Sequence, residues 1–105
     1  MRKNNAPRVG IDTISFYTSR YLLDLASLAA VRQIDPQKFL VGLGQRKMAV
    51  PPPDEDIVTM GASAAKRALA QVDPEQIELL LFATESGIDQ SKAAGIYIHG
   101  LFTYQ

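Results

Sequence analysis

Glu85 stands where an apolar run stops. Leu79-Leu80-Leu81-Phe82-Ala83 is followed directly by Thr84-Glu85-Ser86-Gly87. A short, bounded apolar run suits a strand buried on both faces, the usual state of a parallel sheet. In open α/β folds, ligands and chemistry collect at the carboxyl ends of such strands. A carboxylate held there, with Gly87 letting the backbone turn, is suited to general acid/base work, taking a proton from a reacting atom within about 3 Å. The competing reading is plainer: a loop carboxylate that caps the following helix, since carboxylates in such places are often structural.

The other candidate groups are few. Asp35-Pro36 reads from its residues as a helix start, aspartate at the N-cap and proline at the first helical position, where a missing amide hydrogen costs nothing. His99 is the single histidine, and there is no cysteine. No thiol nucleophile, disulfide, thiolate zinc site or His-rich metal site can be assembled from these residues alone, so no metal is expected. His99 lies on an apolar helix and reads as a packed or surface side chain. Gly42-Leu43-Gly44 lacks both the P-loop lysine pattern and the third glycine of a dinucleotide fingerprint, and reads as a turn. Arg46 and Lys47 read as solvated, with contact to a phosphate as the sharper alternative.

The elements that must position these groups follow from periodicity and punctuation. Arg8 to Tyr17 reads as a strand. Val9, Ile11 and Thr13 share one parity, Ile14 and Phe16 the other, which a bulge or burial on both faces would explain. Asp24 caps a helix running to about Gln33, with Leu25, Leu28 and Ala29 on its apolar face. Asp35-Pro36 starts a short helix that Gly42 and Gly44 break. Lys47 to Val50 is a short strand, and Pro51-Pro52-Pro53 a stiff connector. Asp54-Glu55-Asp56 places negative charge at the start of a helix reaching about Gln71. Its small residues Gly61, Ala64, Ala65 and Ala68 allow close approach to a sheet or another helix. Asp73-Pro74-Glu75 is a tight capped turn before the strand Ile77 to Thr84. A last helix begins near Ser91.

Strand, helices, short strand, helix, strand, helix is an α/β order with crossover connections. The strands are too few for a good sheet, and strands this apolar need cover on both faces. The expectation is the opening part of a larger α/β fold: residues 1–7 a disordered leader, residues 8–105 a partial domain. At 105 residues the chain is one domain at most, and 47% hydrophobic content is globular. Eleven basic residues offset eleven acidic ones, which gives no general affinity for nucleic acid or anionic membrane. No apolar stretch approaches the roughly 20 residues of a bilayer span. The basic start, Met1-Arg2-Lys3, is followed by no apolar signal region, and cytoplasmic residence is the expectation.

Five segments together resemble the N-terminal part of hydroxymethylglutaryl-CoA synthases of the bacterial type, over roughly residues 8 to 101. They are Val9-Gly10-Ile11-Asp12, Ile34 to Gln45, Lys47-Met48-Ala49-Val50, Glu55 to Ala62, and Ala83 to Lys92. The resemblance implies a thiolase-like fold, a mixed sheet with covering helices, and a Claisen-type condensation of acetyl-CoA with acetoacetyl-CoA that supplies the mevalonate pathway. In that family a cysteine carries the acetyl group and a glutamate removes a proton from its methyl. The glutamate of the Ala-Thr-Glu-Ser motif matches Glu85 as general acid/base. The family's CoA contact matches Asp35 and Pro36. The CoA thioesters are substrates, and no cofactor is implied. The family's cysteine and catalytic histidine match nothing here, His99 falling on a helix position before the cysteine. The chain departs from the pattern at Thr18-Ser19, where Val-Pro is common, and after Leu101. Full-length relatives are homodimers.

Three functional expectations follow: an N-terminal synthase fragment inactive alone, one piece of a split synthase completed by a partner chain, or a non-catalytic module that binds an acyl-CoA or a partner.

Overall fold

Asp24 sits at a junction that organises the first half of the molecule. A computed structural model describes residues 6–103. Strand β1 (Tyr21–Asp24) pairs antiparallel with β2 (Lys47–Val50), Tyr21 opposite Val50 and Asp24 opposite Lys47. Helix α1 (Leu25–Arg32) follows without a loop. Asp24 ends the strand in extended geometry, and its Oδ2 accepts from the Ser27 amide at 3.0 Å and the Ser27 hydroxyl at 3.1 Å. One side chain thus stops a strand and satisfies an orphan amide donor of a helix. Gln33 closes α1 in the left-handed region at φ 55°, its N–H donating to Ala29 and Ala30. A π-helical turn (Lys38–Leu43) then runs to Gly44, whose φ of 65° a glycine adopts without strain.

The second half is built on α2 (Ile57–Leu69) and α3 (Ala94–Thr103). Asp56 and Thr59 form a reciprocal capping box at the start of α2: Thr59 N donates to Asp56 Oδ1 at 2.8 Å and Asp56 N to Thr59 Oγ1 at 2.9 Å. Pro74–Gln76 forms the expected capped 3₁₀ turn. The two helices meet at Gly61. A Cβ there would lie 2.9 Å from Phe82 Cζ and closer still to Ile98 Cδ1. Glycine is required because two apolar side chains occupy the space a methyl would fill.

Two expected strands are corrected. Arg8–Tyr17 and Ile77–Thr84, the two segments expected to be extended strands, belong to no ladder; among the described residues the only paired strands are β1 and β2. Extended backbone becomes a strand only beside a partner, and here the two segments flank a cleft of about 300 Å³ floored by Gly61, Ala64 and Ala68 of α2. The first segment is instead pinned to α2 by side chains. Ser15 donates to the Ala64 carbonyl, and Tyr17 donates to Glu55. Arg67 reaches the Phe16 carbonyl at 3.3 Å and lies 5.4 Å from the Tyr17 ring centre. That bond to Glu55, with lesser contributions from desolvation and the nearby charge, holds the Tyr17 phenol above its ordinary pKa.

The alternation that looked broken in the sequence has a physical meaning. Thr13, Ser15 and Tyr17 are half-buried, whereas Ile11, Ile14 and Phe16 are exposed, Ile14 by 83%. From Thr13 onward one parity is polar and lies toward α2, whereas Ile14 and Phe16 on the other parity, and Ile11 ahead of Thr13 on the first, are uncovered. Among the described residues the buried hydrophobic core is Leu25 and Ala29 on one side and Val58, Ala94 and Ile98 on the other. The radius of gyration is 18.9 Å, against about 13 Å for a compact chain of this length. Two smaller differences complete the comparison. Tyr21–Asp24 is a strand the sequence reading left unassigned, and α3 starts at Ala94 rather than near Ser91. Of the expected leader, residues 1–5 lie outside the described residues.

Overpacking by one methyl at the Gly61 crossing should be felt at once. Gly61→Ala is expected to lose about 1–3 kcal/mol of stability, read as a lower urea midpoint. An unchanged midpoint would show that Phe82 and Ile98 do not close there.

Candidate functional site

The geometry around Glu85 starts at Phe82. Its half-buried ring sits above Gly61, and its Cβ lies 3.6 Å from where a Cβ on Gly95 would stand. Gly61 therefore lets the end of the second extended segment settle into the α2–α3 crease, while at Gly95 a Cβ would make only ordinary contact. Past this anchor the chain emerges from the surface. Thr84 Oγ1 accepts from the Ser86 amide at 3.0 Å, a local turn that bends the backbone around Glu85. Glu85 is exposed, with no hydrogen bond or ion pair among the described residues. The expected burial at a strand end is not present, because no neighbouring strand flanks the segment to cover it.

The cap on the path into α3 is not Glu85. Asp89 Oδ1 accepts from the amides of Ser91 at 2.8 Å and Lys92 at 3.0 Å, and Oδ2 accepts from the Tyr97 hydroxyl at 3.0 Å. Lys92 Nζ lies 4.4 Å from the Tyr97 ring centre. Backbone amide bonds from Ser91 and Lys92, then the Tyr97 hydroxyl, hold the Asp89 carboxyl below the usual carboxylate range. The same Tyr97–Asp89 bond, with desolvation and the Asp89 charge, raises the Tyr97 phenol. The plainer role open to Glu85 on sequence grounds is filled by another residue, and its carboxylate is left available.

Asp35 and Pro36 lie elsewhere, on the exposed turn after α1. Asp35 Oδ1 accepts from the Gln37 amide at 3.0 Å, and the Pro36 carbonyl accepts from Phe39 and Leu40 at 3.1 and 3.0 Å. The turn is preformed, and no described contact joins it to Glu85. His99 is exposed on α3 beside a shallow hollow shared with Leu80 and Phe82. Arg46 and Lys47 are exposed. Among the described residues no cluster of His, Cys, Asp and Glu could hold a metal, and no helix is long and apolar enough to cross a membrane. Sequence reasoning missed Asp89, Tyr97 and the Phe82–Gly61 contact. An aspartate just ahead of Ser91-Lys92 is a recognisable cap signal that Glu85 overshadowed.

The comparisons place this arrangement. Residues 5–104 match the family model described as hydroxymethylglutaryl-coenzyme A synthase N terminal. The hydroxymethylglutaryl-CoA synthase of Enterococcus faecalis is 46% identical over 97 residues, which are 92% of this chain and 25% of that protein. That of Haloferax volcanii is 42% identical, covering 88% of this chain and 21% of the relative. The solved structure of MvaS in complex with 3-hydroxy-3-methylglutaryl coenzyme A superposes with a TM-score of 0.75 at 42% identity, over 91% of this chain and 23% of that one. The architecture is the N-terminal part of a thiolase-like α/β fold. The chain belongs to the hydroxymethylglutaryl-CoA synthase family, and it spans about a quarter of the length of the relatives it matches.

Asp56 and Asp89 make the stability of these residues depend on acid. Both carboxyls sit below the ordinary aspartate range, Asp56 chiefly through the Thr59 amide. Each ionises more readily in the folded chain, so its contribution is complete above the unfolded value, about pH 4, and is lost as pH falls through the folded value. The melting temperature is expected to hold from neutral pH to about pH 5 and to drop below about pH 4. Asp56→Asn and Asp89→Asn should each flatten that drop; a slope unchanged in both variants would contradict the assignment.

Proposed function

We propose that this chain supplies the general base, and a CoA-contacting turn, of a hydroxymethylglutaryl-CoA synthase. The observation that carries the reading is the free Glu85 carboxylate at the exit of the second extended segment, anchored at Phe82 and relieved of capping duty by Asp89. In this reading the Glu85 carboxylate takes a proton from the methyl of an acetyl thioester. The resulting enolate carbon attacks the ketone carbon of acetoacetyl-CoA, a carbon–carbon bond forms as the ketone π bond breaks, and the ketone oxygen takes up a proton to become the 3-hydroxyl. Water then cleaves the thioester to the enzyme and frees the product for the mevalonate pathway. The sulfur that holds the acetyl group is not among these 105 residues, which contain no cysteine. It and the catalytic histidine belong to the three quarters of the synthase outside the matched region, as one continuous protein or as a second chain.

Asp35 and Pro36 carry the CoA contact in this proposal. Support comes from family membership, from the preformed exposed turn, and from a relative solved with 3-hydroxy-3-methylglutaryl coenzyme A. Cytoplasmic residence and a homodimeric assembly of the whole synthase belong to the same proposal.

A base without an acyl-enzyme has nothing to deprotonate, and such constellations lose activity as a unit. Purified alone with acetyl-CoA and acetoacetyl-CoA, the chain is expected to release no CoA. Combined with the remainder of a synthase it should support condensation, and Glu85→Gln should lower that rate by about 10²–10⁴-fold. Full activity in the Glu85→Gln combination would overturn the role. A second reading, a non-catalytic acyl-CoA module, is favoured by the exposed Asp35-Pro36 turn. It requires heat on titration with acetoacetyl-CoA, and silence at millimolar ligand would dispose of it.

A further inference from the structure

Between Phe82 and α3 the chain has almost nothing to hold it. No backbone–backbone hydrogen bond is made by residues 78–92 as donors or acceptors among the described residues; the first, from Ile96 to Ala93, already belongs to the start of α3. Glu85 lies in the middle of this stretch, three residues after the Phe82 anchor and four before Asp89. The local bond from Ser86 to Thr84 shapes the bend but ties it to nothing else. Among the described residues, the side-chain hydrogen bond that ties the stretch after Phe82 to the body of α3 is that of the Tyr97 hydroxyl to Asp89 Oδ2 at 3.0 Å, with Lys92 packed over the same ring. Asp89 uses both oxygens, one for the entering turn and one for the helix.

We propose that Asp89 and Tyr97 form a polar clasp that positions Glu85, fixing the far end of its loop on α3 as Phe82 fixes the near end in the α2–α3 crease. Neither touches a reacting atom; both act through the backbone between Gly87 and Lys92. With both ends held, the six residues between Phe82 and Asp89 have a restricted set of paths, and the Glu85 carboxylate is presented in one region above the crease. With the clasp open, the same carboxylate sweeps a wide volume, and proximity is the part of catalysis most sensitive to such freedom. Charge assistance makes this a strong bond for an exposed site, since a phenol donating to a carboxylate outweighs a neutral pair. The proposal rests on Glu85 as the base, but the clasp is measurable whether or not Glu85 does chemistry.

Backbone order parameters from nitrogen relaxation on the full chain test it, together with the χ1 couplings of Glu85. In the unsubstituted chain Glu85–Asp89 is expected near about 0.8, as for ordered backbone. Tyr97→Phe should lower that stretch to about 0.6 or below and average the Glu85 χ1 couplings. The chemical shifts of Gly61 and Ile98 should stay in place, which establishes that the crease is intact. Asp89→Ala should have the same effect. Asp89→Asn, which keeps an oxygen for Ser91 and Lys92 and offers an amide donor to the Tyr97 oxygen, should restore most of the order. Two results overturn the clasp: a Glu85–Asp89 stretch already below about 0.6 in the unsubstituted chain, or Tyr97→Phe leaving Glu85 unchanged while only Ser91 and Lys92 respond, which would make Asp89 a helix cap and nothing more. Failure of Glu85 as a base would be seen separately, in the condensation assay of Glu85→Gln.

Discussion

Phe82 and Ile98 closing over Gly61 is the contact on which this structure turns. Helices α2 and α3 cross where one of them has no side chain, and an aromatic ring from a third segment fills the crease. The burial of Val58, Ala94 and Ile98 depends on that approach. So does the location of Glu85, because Phe82 is the last anchored residue before the chain leaves the surface. A packing constraint far from any polar group thus decides where the one candidate base stands.

A second constraint explains the openness of the molecule. Arg8–Tyr17 and Ile77–Thr84 have the composition of sheet strands, yet no ladder joins them to anything described. Much of their apolar surface is uncovered, Ile14 and Leu81 each 83% exposed. Unpaired edges of this kind are templates for further pairing. The same two segments are the ones that in relatives four times as long are accompanied by three quarters of a protein. The side-chain pins from Ser15, Tyr17 and Arg67 hold the first segment against α2 without any sheet, which keeps the parts near their places in the absence of ladder bonds.

What was legible in the sequence was local. Asp24, Asp35 and Asp73 were readable as caps because a cap is made by a residue and its next three neighbours, and each caps its turn here, while Asp56, legible only as part of an acidic helix start, forms a capping box. Lys47–Val50 was readable from its punctuation, but its partner Tyr21–Asp24 was not, since pairing is settled by residues more than twenty positions away. The two long extended segments were read as strands for the same reason. Propensity marks a backbone that can pair, and only the fold supplies the neighbour. Glu85 was found by its position after an apolar run and by resemblance, but its exposure was not foreseeable, because burial depends on whether other strands lie beside it. Asp89 and Tyr97, eight residues apart, meet only once α3 is set down.

Amide hydrogen exchange on the chain by itself bears most directly on the claim that helix packing at Gly61, and not a sheet, holds these residues together. Amides of Gly61–Leu69 should exchange at least about a hundredfold more slowly than those of residues 9–16 and 78–83, which should run close to the rate of unstructured chain. Equal protection in the extended segments and in α2 would mean that a ladder forms after all, and would contradict the account.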